Sequence, residues 1–405
     1  MKVRFLIANA YPGGGGTIRT TLNMANALAE RGHDVEVISV LRRRKKAMVH
    51  VVPRVQLRPL VDTTPWATTG RWPHVLPGPR RRAREWALAR PSRLIHQQDS
   101  RHSTFNAMTD LRLLHFLRSV RDGVLIATRP GLNLAVARYA RPSVVRIGQE
   151  HLHLGRHRPK LREAITRYYP RLDALATLTP TDAKAYEKLL GNDPRIVAMP
   201  NAAPDMGGVR AALDNKIVVG AGRLTRQKGF DRLIPAFAQV AAKHPDWQLR
   251  IFGSGDEQER LQGQIDELGV GANVSLMGFT RQLPQELGKA SVYALSSRFE
   301  GFPMVLLEAM SCGLPVTSFD CPTGPSDLVT HGSDGLIVPK GDVDGMAAAI
   351  IELVEDDTRR KAMGAAAFET AAEYQTPVLA QRWEALFTEL AAARGLRSSP
   401  TAGGR

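Results

Sequence analysis

The 405-residue sequence contains only two cysteines, Cys312 and Cys321. Two thiols cannot build a disulfide framework, no metal-ligand spacing surrounds them, and nothing asks for an oxidising compartment. Aromatic residues are sparse at 6%, and no RNA-binding signature accompanies the basic residues, which counts against a nucleic-acid partner. No apolar run approaches the roughly 18 residues that cross a bilayer. The apolar start, Val3-Arg4-Phe5-Leu6-Ile7-Ala8, is shorter than a signal-peptide core, and Gly13 to Gly16 follow in place of a cleavage site. Heptads and short internal repeats are also missing. These absences predict a soluble cytoplasmic chain. At about 100–200 residues per domain the length predicts two or three domains. A composition 43% hydrophobic and 23% charged supplies two cores and excludes a mainly disordered chain.

The abundant feature is positive charge: +16 overall, with a pI near 10.3. It is unevenly spread. Residues 1–200 carry 35 basic against 14 acidic side chains, net +21, whereas residues 201–405 carry 20 against 25, net −5. A switch of sign near the midpoint marks a domain boundary.

Both halves follow a strand–loop–helix grammar. Val3–Ala8 reads as a buried strand, residues 13–16 as a loop, Thr17–Arg31 as a helix with Ile18, Leu22, Met24, Ala25 and Leu28 on one face, and Gly32 as its C-cap. Val35–Val40 is the next strand. Residues 41–104 read as an irregular basic insertion, with a helix around Arg81–Ala89 and two basic runs, Arg42–Lys46 and Arg80–Arg84. Strands follow at Val124–Ala127, Val144–Ile147, Ala174–Leu178 and Ile196–Met199. The second half restarts with strands at Lys216–Gly220, Trp247–Phe252, Asn273–Met277, Val292–Leu295 and Pro315–Phe319, and helices at Gly229–Ala242, Asp256–Leu268 and Pro303–Met310. The pattern predicts two parallel α/β domains in series. Thr376–Ala393 reads as a terminal helix and residues 396–405 as a disordered tail.

Two constellations carry chemistry. In Gly220-Ala221-Gly222-Arg223-Leu224-Thr225-Arg226-Gln227-Lys228-Gly229 a strand meets a glycine-rich turn and then a helix. Cations are disfavoured at a helix N-terminus, so Arg223 and Lys228 there ask for an anion, and the pair matches a diphosphate. In Ser296 through Met310 a strand ends in a polar loop, Gly301 turns the chain, and Pro303 stands at the expected first helical position. Amides after Gly301 face an anion. Glu308 lies about one and a half turns into the helix and Glu300 lies on the loop, each able to accept polyol hydroxyls.

The loop with Arg223 and Lys228, the Gly253-Ser254-Gly255 turn after a strand, and Glu300 with Glu308 seven intervening residues later resemble the retaining family-4 glycosyltransferases (glycosyltransferases group 1). The resemblance covers nearly the whole chain and is strongest from 215 to 340. It implies an α/β fold of GT-B architecture: two Rossmann-like domains across a cleft, closing by a hinge near 199–214, with the C-terminal helix returning to the first. It implies an acceptor-side domain over 1–200, a donor domain over 201–375, and the returning helix over 376–395. Arg223 and Lys228 would then hold the donor diphosphate and Glu308 the ribose. Glu300 would contact the donor sugar, with Gly301, Phe302, Pro303 and Met304 near sugar and phosphate. Gly253 and Gly255 would approach the base. Gly15, Gly16 and Arg19 match the glycine loop closing over the donor, and His151 matches the active-site histidine. Cys321-Pro322-Thr323-Gly324-Pro325 resembles a loop of cell-envelope and capsular polysaccharide members.

Blander readings stand beside these. Isolated carboxylates are usually surface groups, and two of them also suit a glycosidase, at separations of about 5–5.5 or 6.5–9.5 Å. The cation loop favours a phosphate-bearing donor instead. The glycine loop lacks the Gly-Lys-Ser/Thr ending of an ATP-binding P-loop. Asp342-Val343-Asp344 reads as a helix cap rather than a metal motif, and Cys321 as a packed residue. The expected activity is retaining transfer of a sugar from a nucleotide-sugar, UDP- or GDP-linked, to a glycan or lipid-linked acceptor. No divalent metal or cofactor is expected. The basic half is expected to meet an anionic membrane at its cytoplasmic face. A nucleotide-sugar epimerase, a phosphorylase, or a non-catalytic basic membrane or nucleic-acid binder are the alternatives.

Overall fold

A computed structural model describes residues 1–11, 16–44, 47, 50–64 and 78–395. Two compact units emerge, Met1–Pro200 with Thr376–Arg405, and Asn201–Gln375. The tail at 396–405, Lys45, Lys46 and Gly15 lie outside the described residues.

In the first unit, strands β1 (Lys2–Ile7), β2 (Asp34–Arg42), β3 (Val55–Asp62), β4 (Val124–Ala127), β5 (Val145–Gln149), β6 (Ala174–Thr177) and β7 (Arg195–Ala198) form one parallel sheet in the order β3-β2-β1-β4-β5-β6-β7. The connecting helices are α1 (Gly16–Glu30), α2 (Gly78–Ala89), α3 (Ala107–Ser119), α4 (Pro130–Tyr139), α5 (Pro159–Tyr168) and α6 (Pro180–Leu190). All four residues of β4, at the middle of the sheet, are apolar and buried, as expected of a parallel sheet covered on both faces, while the buried Arg4 of β1 is paired with Glu36 at 2.9 Å. Gly32 ends α1 at φ +92°, a left-handed value that glycine adopts without a Cβ clash.

The expected irregular insertion over 41–104 needs correction. It contains β3, which pairs in parallel with β2 from Val35↔Val55 to Arg42↔Asp62. β3 is an edge strand, half-exposed, and Pro59 interrupts its apolar pattern. Proline lacks the amide that a central ladder needs but is tolerated at an edge, so the sequence there does not read as a strand.

The second unit repeats the plan. Strands β8 (Ile217–Ala221), β9 (Gln248–Phe252), β10 (Val274–Gly278), β11 (Val292–Leu295), β12 (Val316–Phe319) and β13 (Gly335–Val338) form a parallel sheet ordered β10-β9-β8-β11-β12-β13. Helices α7 (Phe230–Lys243), α8 (Gln258–Glu267), α9 (Leu283–Gly288), α10 (Met304–Ser311), α11 (Pro325–Leu328), α12 (Val343–Glu355) and α13 (Asp357–Ala372) connect and cover it. Asp342 caps α12, accepting from the Gly345 amide at 2.9 Å, so this part of the Asp-x-Asp run serves the helix. In both sheets the strand order reverses at one point, between β1 and β4 and between β8 and β11. Open parallel sheets bind ligands outside the carboxyl ends of the strands at that point.

The last helix, α14 (Thr376–Ala393), belongs to the first unit. Leu379, Trp383, Leu386, Phe387 and Leu390 are buried along one face, and Trp383 stacks tilted on Phe387 at 5.7 Å. Glu384 secures it to the α1 end, 2.7 Å from the Arg31 guanidinium and 2.9 Å from His33 Nε2. No helix among the described residues is long and apolar enough to cross a membrane.

Candidate active site

The reversal point of the second sheet gathers the residues singled out in the sequence. The loop after β8 runs through Gly222 to Gly229, and a short 3₁₀ turn, Arg226–Lys228, delivers Lys228 to its end. Its Nζ lies 2.7 Å from Glu300 Oε1, on the loop after β11, with both side chains largely buried. The Ser297 hydroxyl donates to the same carboxylate oxygen at 2.5 Å. The Glu300 backbone is clasped too: its amide donates to the Pro322 carbonyl at 3.0 Å, and its carbonyl accepts from the Thr323 hydroxyl at 3.2 Å. Lys228 and Glu300 are 72 residues apart in sequence, so the pair is a product of the fold. Arg298 makes a two-pronged pair with Asp231 at 2.7 Å, locking the start of α7 to the β11 loop.

Glycine is required where loops approach backbone to backbone. A Cβ on Gly253 would stand 1.8 Å from the Gly222 carbonyl oxygen, one on Gly255 2.3 Å from that of Leu224, and one on Gly229 2.1 Å from that of Ser296. Gly253 at φ +153° and Gly229 at φ +67° add a conformation that favours glycine. These loops sit too close for side chains, leaving main-chain groups and the exposed Arg223 at the rim.

Helix α10 begins at Met304, with Pro303 as its N-cap at φ −80°. That corrects the expectation of Pro303 as the first helical residue. Gly301 and the buried Phe302 precede it, and Glu308 follows half-buried in the second turn. Tyr293, on β11, is fully buried and bridges the end of β8, its hydroxyl donating to the Ala221 carbonyl at 3.2 Å. Burial pushes its phenol well above the usual value, with smaller contributions from the Glu308 and Glu300 charges. The Cys321 thiol is pushed up to about 12 by burial, then by Glu300, in keeping with a packed, protonated side chain.

The first unit has its own concavity at the reversal point, a cavity of about 450 Å³. Its walls come from the ends of β1 (Ile7–Asn9), β4 (Thr128–Pro130) and β5 (Glu150–Leu152), the start of α1 (Thr17, Ile18), and Arg43, Arg44, Arg101 and Thr104. His151 lines it, and its Nε2 is buried without a hydrogen-bond partner among the described residues. Burial, then the Arg129 charge, pushes its imidazole down to about 4, so the ring is neutral at physiological pH. Gly16 and Arg19 are exposed on α1.

Sequence reasoning missed the network behind His151. Glu150 has a fully buried side chain. Its Oε1 accepts from Asn133 Nδ2 at 2.9 Å and from the Tyr169 hydroxyl, and its Oε2 lies 3.4 Å from His157 Nε2. Arg129 is likewise held by the buried Asp99, which also accepts from the Gly131 amide at 2.8 Å. The available signal was Thr128-Arg129-Pro130 directly after a strand. Among the described residues no three His, Cys, Asp or Glu side chains cluster as a metal-ligand set.

The family model described as "Glycosyl transferases group 1" matches residues 205–370. The lipopolysaccharide core biosynthesis glycosyltransferase LpsD of Rhizobium meliloti is 31% identical over 267 residues, 64% of this chain and 73% of LpsD. The chain belongs to the glycosyl transferases group 1 family. Over almost its entire length, 97%, this group 1 member is also 38% identical to an exopolysaccharide phosphotransferase of Streptomyces coelicolor, of whose length it spans 41%. A mutant S. aureus TarM, solved with fondaparinux, α-GlcNAc-glycerol and UDP, superposes with a TM-score of 0.72 at 15% identity, covering 96% of this chain and all of TarM. That likeness speaks for the fold, which is GT-B: two Rossmann-like parallel α/β units.

Proposed function

We propose that this group 1 member transfers a sugar from a nucleotide-sugar, UDP- or GDP-linked, to an acceptor hydroxyl in cell-envelope or polysaccharide biosynthesis, with retention at the anomeric carbon. The observation that carries the reading is the Lys228–Glu300 pair at 2.7 Å, at the reversal point between β8 and β11. It offers one cation for a phosphate and one carboxylate for sugar hydroxyls. Arg223 supplies a second cation at the rim, Glu308 a carboxylate for the ribose, and the loop entering α10 the main-chain amides of Gly301 and Phe302 for the phosphate, with Pro303 and Met304 shaping the turn beside it. Gly253 and Gly255, packed against the Gly222 and Leu224 carbonyls, bring a bare main chain towards the base.

In this chemistry the bond from the anomeric carbon to the phosphate oxygen breaks as the acceptor oxygen bonds to the same face. The acceptor's proton passes to the departing phosphate oxygen. Lys228 and Arg223 stabilise charge growing on the diphosphate, and the hold of Glu300 on Lys228 limits reorganisation during the step. His151, neutral in its cavity, can donate or accept a hydrogen bond there without adding charge. The reaction needs no divalent metal. The acceptor side is the first unit, whose basic surface also meets an anionic membrane from the cytoplasm. There the exposed Trp86 lies under the Arg90 guanidinium, 4.9 Å from its ring centre. The test is transfer from labelled UDP- and GDP-sugars, with chelator present and with anomeric configuration read by NMR. Glu308→Ala should abolish turnover or sharply raise the donor KM; wild-type kinetics in that variant would sink the assignment.

A further inference from the structure

The charges around the first-unit cavity do not cancel, and the imbalance points to what enters it. Arg129 is matched by Asp99, whose side chain is completely buried beneath it. The buried Glu150 is matched by His157, 3.4 Å away; burial lowers this imidazole, but the hydrogen bond and charge of Glu150 outweigh that and raise it overall. Two of the ionic groups at the cavity are therefore paired from behind.

Three others are not. Arg43, Arg44 and Arg101 line the cavity, and none has a carboxylate partner among the described residues. They come from two separate segments, the chain after β2 and the turn before α3. A cluster of like charges is unfavourable unless something compensates it. The hydroxyl-bearing residues Thr17, Ser100 and Thr104 lie among the same walls. Three guanidinium forks spread around one hollow suit a group with several oxygens pointing in different directions. A phosphate presents three or more; a single carboxylate has two, in one plane. The second, independent observation is His151: its buried, unpartnered Nε2 belongs to the same wall, so the cavity offers a neutral polar contact as well as cationic ones.

We propose that this cavity binds a phosphate-bearing polyol, with Arg43, Arg44 and Arg101 on the phosphate and a hydroxyl of the same molecule near His151. This rests on the transferase reading and deepens it, since the polyol is the acceptor. The arginines are thus specificity determinants for the acceptor, separate from Arg223 and Lys228 of the second unit. The phosphate belongs either to a soluble or polymeric polyol phosphate or to a lipid headgroup, and the chemistry is the same in both.

The test uses the full chain and the variant Arg43→Gln/Arg44→Gln/Arg101→Gln. All three side chains are exposed, so the variant is expected to fold, checked by an unchanged unfolding midpoint. Calorimetric titration with sn-glycerol 3-phosphate, glycerol and glucuronate forms one arm. Sedimentation with phosphatidylglycerol/phosphatidylcholine vesicles forms the other. Titration with UDP and GDP runs alongside. The proposal expects the wild type to bind sn-glycerol 3-phosphate or the anionic vesicles at least tenfold more tightly than the triple variant does. Glycerol should not bind, and glucuronate should bind more weakly. Dependence in the first arm assigns a soluble or polymeric phosphate; dependence in the vesicle arm alone assigns a headgroup. Equal binding by wild type and triple variant in both arms, or no binding in either, overturns the proposal. Vesicle binding that survives the triple variant belongs to the Trp86 face and, when the first arm also shows no dependence on the three arginines, overturns the proposal. Nucleoside diphosphate binding should be the same in both proteins. Its absence from the wild type would defeat the transferase reading without touching the phosphate result.

Discussion

Replacing Lys228 by methionine separates two tasks of one ammonium group. It lies 2.7 Å from Glu300 Oε1, with side chains 14% and 7% exposed. Removing it leaves Ser297 as the remaining side-chain partner of that carboxylate among the described residues. Breaking a buried pair from one side costs about 3–5 kcal/mol, and the partial exposure of Lys228 puts the expected loss at the low end, about 3 kcal/mol. For a unit of this size each kcal/mol moves the midpoint by roughly 2–4 °C, so the second unit should unfold about 6–12 °C lower. Lys228→Met combined with Glu300→Gln removes both charges and should recover most of that loss, because no uncompensated ion is left behind. Binding should behave differently. A charge-assisted bond to phosphate is worth about 1.5–3 kcal/mol, so UDP or GDP affinity should fall roughly 10- to 150-fold in both variants. Differential scanning calorimetry and titration calorimetry read the two quantities. Recovery of nucleotide affinity together with the midpoint in the double variant would refute the reasoning, because Lys228 would then serve the fold alone.

Gly253→Ala places a Cβ 1.8 Å from the Gly222 oxygen and should lower the midpoint and abolish nucleotide binding, whereas Gly263→Ala, which meets nothing within 4 Å, should do neither; calorimetry checks both. His151 has its folded pKa depressed to about 4, below the ordinary value near 6.5. Between those values the unfolded chain takes up a proton that the folded chain refuses, so stability falls as pH drops from about 6.5 towards 4. Urea midpoints at pH 7 and 5 should therefore differ more for wild type than for His151→Asn, and an equal difference would contradict the depressed value. Trp383→Ala empties a buried position on α14 and should cost about 3–5 kcal/mol of first-unit stability, read by urea unfolding; a loss below about 1 kcal/mol would show that α14 is not integral to that unit.

Which parts were legible in the sequence follows from what each depends on. β8 and β11 are short apolar runs between turn signals, and β1 and β2 are mostly apolar and buried despite Arg4 and Glu36, so composition exposes such strands. β3 is hidden because an edge strand needs neither continuous apolarity nor every amide, and Pro59 uses that freedom. The motif loops were legible as chemistry, but their geometry was not. Nothing local says that Lys228 reaches Glu300, or that Gly253 is a glycine because the Gly222 carbonyl lies against it. The start of α10 was misjudged by one residue, since Pro303 fits both the N-cap and the first turn by its φ. The Glu150 network was illegible for a different reason: Asn133, Glu150, His157 and Tyr169 come from separate elements, and only the parallel order of β4, β5 and β6 assembles them. The basic excess of the first half was plain from the start, whereas the division into Arg129, neutralised by Asp99, and Arg43, Arg44 and Arg101, left uncompensated, required the fold.

The central claim is that the second unit holds a nucleotide-sugar through Lys228, Glu300 and Glu308. Titration calorimetry of UDP and GDP into the full chain, with chelator present, tests it most directly. The account predicts saturable binding of at least one of the two, lost on Glu308→Ala and unaffected by chelator. Absence of binding by either nucleotide to the wild type, or equal binding by the Glu308→Ala variant, would contradict it.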